Sequence, residues 1–345
     1  MIRTLAVALG ATLMAGVVAA QAAIITGAGA TAPAPIYQKW AEAYKAKTGV
    51  GLNYQGIGSG GGIKQIEAKT VDFGASDKPL AAADLEKFGL LQFPTVIVGI
   101  APVVNIPGVA AGQLHLNGQV LADIYLGEIK RWSDPRIAGL NKGVRLPNLP
   151  ITVVHRSDGS GTTFLYTSYL KAVSPAWGKV GASDSVAWPV GQGGKGNDGV
   201  AAYVKQTPGS IGYVEYAFAK NNNLAYVDMA DREGHFIAPN EQSFSAAAAH
   251  AEWRSADGFA PTLLDQPGAN AWPISGATFI LIYKNPGNAA STESVLKFFD
   301  WCYAAGDGMA SELAYVPLPA NVKTAIRHAW ATEVKAGGKP VYVAH

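Results

Sequence analysis

Arg156, Ser160, Gly161 and Thr162 lie close together in the sequence and combine a cation with small hydrogen-bond donors. They follow a β-branched run at residues 151–154 and precede apolar residues at helical spacing, so they fall where a helix begins. The first N–H groups of a helix have no partner within it and lie at the positive end of its dipole. Glycine permits a close approach to the backbone, and arginine offers a planar fork of donors. The pattern predicts an anion-binding site, although an ordinary capped helix uses similar residues.

Two further loops of small residues also lie between a predicted strand and a predicted helix. One ends in Thr31 and Ala32 and resembles the glycine fingerprint of dinucleotide-binding proteins. Two prolines crowd the start of its helix and no acidic residue closes a second strand, so we do not favour dinucleotide binding. The other loop, residues 58–62, is a glycine run that contains Ser59 and leads into a predicted helix over residues 63–69. We expect Thr31, the N–H of Ala32 and Ser59 to supply anion-binding donors, with a flexible glycine run as the alternative for the second loop.

Two acidic residues accompany these donors. Asp77 ends a short predicted strand over residues 71–77. Its carboxylate either caps the segment that begins at Leu80 or accepts a hydrogen bond from a protonated ligand. Asp158 follows Arg156 by two positions across the bend from strand to loop, where it would orient the guanidinium group.

The sequence shows no recognisable pattern for catalysis or metal binding. No G-x-S-x-G motif surrounds Ser59 or Ser160, and the six histidines lack metal-binding spacing. A phosphatase with Ser160 or Thr31 as nucleophile is the enzyme alternative, but no base lies near either residue in the sequence. We expect no metal, no cofactor and no catalysis.

Length and composition indicate a folded protein with two domains. The chain has 345 residues, of which 49% are hydrophobic and 15% are charged, which excludes a disordered chain. The formal charge of +2 gives no indication of nucleic-acid binding. Long apolar strands at residues 93–106 and 272–283 are expected to cross between the domains. Helices are expected over residues 121–132, 244–253, 292–304 and 322–334.

The N-terminus has the pattern of a secretory signal. Arg3 precedes an apolar run at residues 5–20, and a cleavage motif ends at Ala22. Residues 1–22 are therefore predicted to be removed on export. The single cysteine, Cys302, lies in a predicted amphipathic helix and is expected to be a core residue, so the mature chain has no cysteine for a lipid anchor at its start. We expect the mature protein in the periplasm.

Six motifs occur in a characteristic order along the chain: TGAGAT at 26–31, YQGIGS at 54–59, VDFGASD at 71–77, RSDGSGT at 156–162, GGKGNDG at 193–199 and SIGYVEY at 210–216. Together they resemble the PstS family, the periplasmic phosphate-binding proteins of high-affinity phosphate ABC transporters. The resemblance covers nearly the whole chain after the secretory signal.

The resemblance implies an α/β fold of the two-lobed periplasmic-binding-protein type (type II-like), with two crossover strands and phosphate held in the cleft. Residues 23–96 and 277–345 would form one lobe and residues 97–276 the other. The implied partners are inorganic phosphate and an inner-membrane ABC permease with its ATPase subunits; we expect a monomer and no nucleic acid. The implied ligand contacts are Thr31, the N–H of Ala32, Ser59, Asp77, Arg156, Ser160, Gly161 and Thr162, with Asp158 in support.

Two positions depart from the family pattern. Ala32 stands where the family often has an aromatic residue, and Gly60 stands where it often has a second serine. A backbone donor is kept at each position. A binding protein for sulfate or another tetrahedral oxyanion is the remaining alternative, and Asp77 is the residue that would distinguish the two ligands.

Overall fold

The computed structural model describes residues 24–344, so the predicted secretory signal at residues 1–22 lies outside the described part. The strands are β1 (Ile24–Gly29), β2 (Gly51–Gly56), β3 (Phe73–Ser76), β4 (Leu90–Asn105), β5 (His115–Leu116), β6 (Thr152–Arg156), β7 (Gln192–Gly194), β8 (Ser210–Glu215), β9 (Ala225–Tyr226), β10 (Asp228–Ala230), β11 (Phe236–Ile237), β12 (Ser275–Tyr283), β13 (Val316–Pro317), β14 (Lys335–Ala336) and β15 (Lys339–Pro340).

The helices alternate with these strands along most of the chain. They are α1 (Ala34–Thr48), α2 (Ser59–Glu67), α3 (Ala82–Phe88), α4 (Gly118–Tyr125), α5 (Pro135–Leu140), α6 (Gly161–Val173), α7 (Gly196–Gln206), α8 (Tyr216–Asn221), α9 (Glu241–Ala248), α10 (Ala289–Ala305), α11 (Asp307–Glu312) and α12 (Ala320–Glu333), with 3-10 helices at Pro175–Lys179 and Ser255–Asp257. Among residues 24–344, none of these helices combines the length and the apolar character needed to cross a membrane.

The main sheet is mixed and has the strand order β2-β1-β3-β12-β4-β8-β6-β7. Strand β4 holds its two halves together, because Leu90–Gly99 pairs with β12 and Ile100–Asn105 pairs with β8. Strand β12 returns the chain to the first half. The expected crossover strands and α/β class are thus confirmed. We call the half with β1, β2, β3 and β12 lobe I and the half with β6, β7 and β8 lobe II; the residue limits given above for the lobes remain a prediction.

Gly99 is the last residue of β4 that pairs with β12 before the strand changes its partner to β8. A Cβ atom at Gly99 would lie 2.0 Å from the ring of Phe244, so no other residue fits there without movement of that ring. The pairing of β4 with β8 starts at Ile100, and Pro102 lies within this paired part of the strand. Gly99 and Pro102 therefore lie where β4 passes from one half of the sheet to the other.

Large aromatic side chains make up much of the buried core. Trp40 and Tyr44 of α1, four positions apart, are buried, and Trp330 of α12 is fully buried against Phe93 of β4. Cys302 is also buried, as expected. Each buried aromatic side chain removes about 150–250 Å² from water, so these residues contribute strongly to stability.

Helix α2 differs from its prediction. It begins at Ser59, not at residue 63, and the glycine run forms its first turn. A Cβ atom at Gly62 would lie 2.4 Å from the Cα of Gly29 and 2.5 Å from the carbonyl oxygen of Ala28. The glycines therefore allow the helix to pack directly on the backbone of β1. Helix propensity alone does not predict this, because glycine is a poor helix former.

Two other helices also differ from their predictions, and both are shorter than expected. Helix α4 ends at Tyr125 instead of Trp132, because Gly127 takes a left-handed conformation (φ +77°) that stops the helix. Helix α9 covers Glu241–Ala248 instead of residues 244–253. Its start is set by a capping box between Asn240 and Ser243, which apolar periodicity alone does not reveal.

Candidate ligand-binding site

The predicted site residues all lie where a strand ends or a helix begins. Lobe I contributes four of them from the loop after β1, the first residue of α2 and the residue after β3. Lobe II contributes the other four from the end of β6 and the start of α6. All eight are buried, and the set is Thr31, Ala32, Ser59, Asp77, Arg156, Ser160, Gly161 and Thr162. The structure thus brings together residues that are up to 131 positions apart, counting from Thr31 to Thr162.

The start of α2 faces the start of α6 across the cleft. Ser59 Oγ accepts a hydrogen bond from the Gly161 N–H (3.0 Å) and another from the Asp77 N–H (3.2 Å). A hydroxyl oxygen has two lone pairs, so the hydrogen of Ser59 is left to donate to a third group. The Gly161 N–H, a predicted ligand donor, is donated to Ser59 in this arrangement.

The glycine at position 60 permits this approach. Its N–H donates to the carbonyl oxygen of Gly159 in lobe II (3.0 Å). An added Cβ would lie 3.2 Å from the Cα of Gly159 and 3.3 Å from Asp184 Oδ2. A serine at this position would therefore require a small displacement of lobe II.

Ala32 is fully buried beside the cleft. Its carbonyl oxygen accepts a hydrogen bond from the hydroxyl of Tyr315 (2.6 Å). Tyr315 comes from the C-terminal part of the chain, so the wall beside Ala32 is built by a distant aromatic residue.

Arg156 is held by Asp158, as predicted. Its Nε and Nη2 atoms donate to the two carboxylate oxygens at 2.7 and 2.5 Å. Burial alone would raise the pKa of Asp158, but the hydrogen bonds and charge of Arg156 lower it below its ordinary value. The remaining nitrogen, Nη1, is buried and has no hydrogen-bond partner among residues 24–344. A buried guanidinium donor without a partner requires an acceptor, most favourably an anion.

Asp77 is not a helix cap. Helix α3 begins at Ala82 and its N-cap is Ala81. The Asp77 carboxylate instead accepts a hydrogen bond from the hydroxyl of Thr278 (2.6 Å). Burial raises the pKa of Asp77 to about 6, and the Thr278 hydrogen bond and the Arg156 charge limit the increase. Asp77 is therefore an acceptor that is ionised at neutral pH.

The hydroxyls considered as nucleophiles lack an activating base. Ser160 caps α6 by accepting the Thr163 N–H (3.0 Å), and Thr31 Oγ1 accepts hydrogen bonds from Asn197. Within residues 24–344, neither hydroxyl is hydrogen-bonded to a histidine or a carboxylate. Activation of a serine or threonine requires such a base within hydrogen-bond reach.

Several residues around the site were given no role from the sequence. Asn197 links Thr31 to Thr162, and Tyr213 Oη accepts the Arg156 N–H (3.2 Å). The motifs could have pointed to three of these residues, because Asn197, Tyr213 and Glu215 lie in two of the six motifs that carry the family resemblance. Glu215 is fully buried and accepts the Ala217 N–H (2.9 Å), and burial raises its pKa well above its ordinary value. Thr278 and Tyr315 lie outside those motifs.

Known proteins resemble this chain over nearly its full length. Residues 16–305 match the family described as PBP superfamily domain. The Phosphate-binding protein PstS of Pasteurella multocida is 54% identical over 93% of this chain and 94% of the relative. The protein of the same name from Haemophilus influenzae is 53% identical over 92% and 95%, respectively.

A solved structure shares the fold. It is that of a high affinity periplasmic phosphate-binding protein (PfluDING) bound with phosphate, which matches with a TM-score of 0.73 and 24% identity over 91% of this chain and 96% of that one. This likeness agrees with the α/β fold and the crossover strands described above. From the identities and the coverage together, the chain belongs to the PBP superfamily and, within it, to the family of phosphate-binding proteins PstS.

Proposed function

We propose that this protein captures inorganic phosphate between lobe I and lobe II and delivers it to an ABC permease for uptake. The names of the relatives support phosphate as the ligand. The observation in the structure that carries the proposal is Arg156, whose guanidinium is buried, held in one plane by Asp158, and left with an unpartnered Nη1. A tetrahedral anion with several acceptor oxygens suits such a donor.

The eight predicted residues are the proposed phosphate contacts, with Asp158 in support. The Gly161 N–H, which donates to Ser59 Oγ in this structure, is proposed to donate to phosphate when the ligand is bound. Moving one carboxylate-sized charge from water into a dry site costs on the order of 20 kcal/mol in the idealised Born limit. A charge-assisted hydrogen bond returns only about 1.5–3 kcal/mol net, so many donors must converge on the anion. Donors from both lobes meet this requirement when the cleft is closed.

Closure is the proposed signal for delivery. Because the contacts come from both lobes, phosphate binds the closed arrangement more tightly and shifts the population towards it. The proposed receiver is an inner-membrane permease with its ATPase subunits, approached by a monomeric binding protein. The lobes are proposed to comprise residues 23–96 with 277–345, and residues 97–276.

The proposed compartment is the periplasm. The basic, apolar and A-x-A segments of residues 1–22 support export followed by cleavage after Ala22. Cell fractionation followed by intact-mass measurement tests this step, with a mature chain that starts at Ala23 as the expected product. A full-length chain in the cytoplasmic fraction would contradict it.

Titration calorimetry of residues 23–345 with phosphate, sulfate and a phosphomonoester tests the ligand. We expect phosphate to bind at about 1 μM or tighter, corresponding to roughly 8 kcal/mol or more, and the other two to bind much more weakly. A comparable affinity for sulfate would favour the alternative, a binding protein for sulfate or another tetrahedral oxyanion. The protein is proposed not to be an enzyme; sustained release of phosphate from an aryl phosphate that Ser160→Ala abolishes would instead support a phosphatase.

A further inference from the structure

Asn197 of lobe II contacts Thr31 of lobe I and has a fixed amide orientation. It is fully buried in the first turn of α7. Its Oδ1 accepts the backbone N–H of Glu215 at 2.9 Å. A backbone N–H can only donate, so the atom facing Glu215 must be the amide oxygen and the Nδ2 group must point the other way.

The two hydrogens of Nδ2 reach one threonine from each lobe. Nδ2 donates to Thr31 Oγ1 at 2.8 Å and to Thr162 Oγ1 at 3.4 Å. The backbone N–H of Asn197 also donates to Thr31 Oγ1, at 3.3 Å. Both lone pairs of the Thr31 hydroxyl are therefore occupied, and its hydrogen has to be donated to another group.

We propose that Asn197 is a positioning residue that makes the hydroxyls of Thr31 and Thr162 hydrogen donors towards bound phosphate. This inference rests on the proposed phosphate-binding function and adds a residue that does not itself contact the ligand. A free hydroxyl can rotate so that its lone pairs face an anion, and two facing acceptors in a buried site are costly. Asn197 prevents that orientation at Thr31 by donating to both lone pairs of its hydroxyl, and disfavours it at Thr162 by donating to one of the two.

The arrangement also connects hydroxyl orientation to closure. Thr31 belongs to lobe I, whereas Asn197 and Thr162 belong to lobe II. The hydrogen bonds to Thr31 therefore form only when the lobes are together. Thr31 becomes an obligate donor in the arrangement that holds the ligand, which favours capture of an anion with unprotonated oxygens at these two positions.

A double-mutant cycle with phosphate titration tests the proposal. Asn197→Ala is measured in the wild-type chain and in a Thr31→Val/Thr162→Val background, where the hydroxyls are absent but side-chain volume is kept. We expect about a tenfold loss of phosphate affinity in the wild-type chain and less than about a twofold loss in the double-valine background. Equal losses in both backgrounds would show that Asn197 acts only through the general structure, and no loss in the wild-type chain would also overturn the proposal.

A second variant covers the case in which Asn197→Ala fails to fold. Asn197→Asp keeps an acceptor for the Glu215 N–H but offers only acceptors to the threonines, so both hydroxyls must turn their hydrogens away from the ligand. We expect more than a tenfold loss of phosphate affinity, part of which disappears in the double-valine background. Wild-type affinity in Asn197→Asp, or an equal loss in both backgrounds, would overturn the proposal.

Asn105 provides the matched control. Its Nδ2 donates to the carbonyl oxygens of Val204 and Lys205 at 2.9 and 3.0 Å and thus anchors the other end of α7. Asn105→Ala is expected to lower the melting temperature without changing the dissociation constant for phosphate. A wild-type chain that shows no phosphate binding would overturn the proposed function itself, whereas a wild-type chain that binds without coupling between Asn197 and the threonines would overturn only this inference.

Discussion

The carboxylate of Asp77 has the environment of a selectivity residue. It is buried next to donors that suit an anion, accepts a hydrogen bond from Thr278, and has a pKa of about 6 because of its burial. At neutral pH phosphate still carries a hydrogen that can be donated to this carboxylate, whereas sulfate carries none. Two facing acceptors penalise sulfate, so the discrimination acts by repulsion.

Asp77→Asn is expected to weaken phosphate binding modestly and to strengthen sulfate binding. The asparagine amide can turn a donor towards either anion, which removes the penalty on sulfate. Titration of both anions into wild type and variant measures the ratio of the two dissociation constants. An unchanged ratio would mean that Asp77 does not select the ligand.

The same ratio is expected to depend on pH in the wild-type chain. Above the pKa of about 6 the carboxylate is ionised and rejects sulfate; as the pH falls through that value it gains a hydrogen that it can donate to sulfate. The preference for phosphate should therefore narrow as the pH is lowered from about 8 to about 5. Asp77→Asn is the control, because its ratio of dissociation constants should lack the pH dependence that comes from the carboxylate. If the ratio changes with pH in the same way in both proteins, the prediction is contradicted.

Phosphate binding is expected to depend on the planar fork of donors of Arg156 and not only on its charge. Lysine in its place keeps the charge but loses the two parallel hydrogen bonds to Asp158 and the orientation of Nη1. We expect Arg156→Lys to weaken phosphate binding by about 10- to 100-fold, since one charge-assisted hydrogen bond is worth about 1.5–3 kcal/mol.

Arg136 is a matched control for that substitution. It makes the same kind of two-point contact with Asp134, two positions before it, at 3.0 Å for both hydrogen bonds, but it lies on the surface. Arg136→Lys should leave the phosphate dissociation constant unchanged. If Arg156→Lys behaves like Arg136→Lys, Arg156 is not in the site.

At the scale of elements, binding depends on how closely the start of α6 can approach lobe I. A Cβ atom on Gly161 would lie 2.6 Å from the Cβ of Asp77 and 2.6 Å from Ser59 Oγ. Both contacts belong to the other lobe, so an added methyl group obstructs closure and not the folding of α6. Alanine is also the better helix former.

Gly161→Ala is therefore expected to weaken phosphate binding by more than about tenfold while the melting temperature without phosphate stays within about 2 °C of wild type. Gly139→Ala in α5 is the control, because its Cβ would meet no atom within 4 Å. Titration and thermal melting of both variants provide the measurement. A large loss of melting temperature in Gly161→Ala would show that the contact supports folding instead.

At the scale of the whole molecule, an ion pair links the two lobes. Lys78 of lobe I lies 3.0 Å from Asp184 of lobe II. Both side chains are partly exposed, with side-chain exposures of 34% and 23%, so solvent screens the attraction. Pairs of this kind contribute about 0–1 kcal/mol.

Lys78→Met is expected to weaken phosphate binding by less than about fivefold, with a smaller effect at high salt. The main-chain carbonyl of Asp184 accepts the Ser160 N–H (2.8 Å), so substitution of Lys78 disturbs the site less than substitution of Asp184. Lys297→Met, which breaks a pair within α10, should have no effect on binding. A salt-independent loss in Lys78→Met would indicate a packing role and not an electrostatic one.

Local chemistry explains which parts of the fold could be predicted from the sequence. The β-branched run before Arg156 and the capping residues around Ser160 identify β6 and the start of α6, because both signals act within a few residues. The glycine run in α2 was wrongly expected to be a loop, because the close contact of Gly62 with Gly29 depends on how the helix lies on β1. The end of α4 was wrong for a different reason, because the left-handed Gly127 that stops this helix is a local signal that the predicted span passed over.

The sequence by itself determined the candidate donors, the acidic partners Asp77 and Asp158, and the family to which their motifs belong. Only the tertiary structure decided which donors face each other across the cleft and which side chains stand behind them. Asn197 meets Thr31 across 166 positions, and Thr278 meets Asp77 across 201. The packing of two lobes on one sheet determines hydrogen-bond partners so far apart in the chain, and no local pattern of residues predicts them.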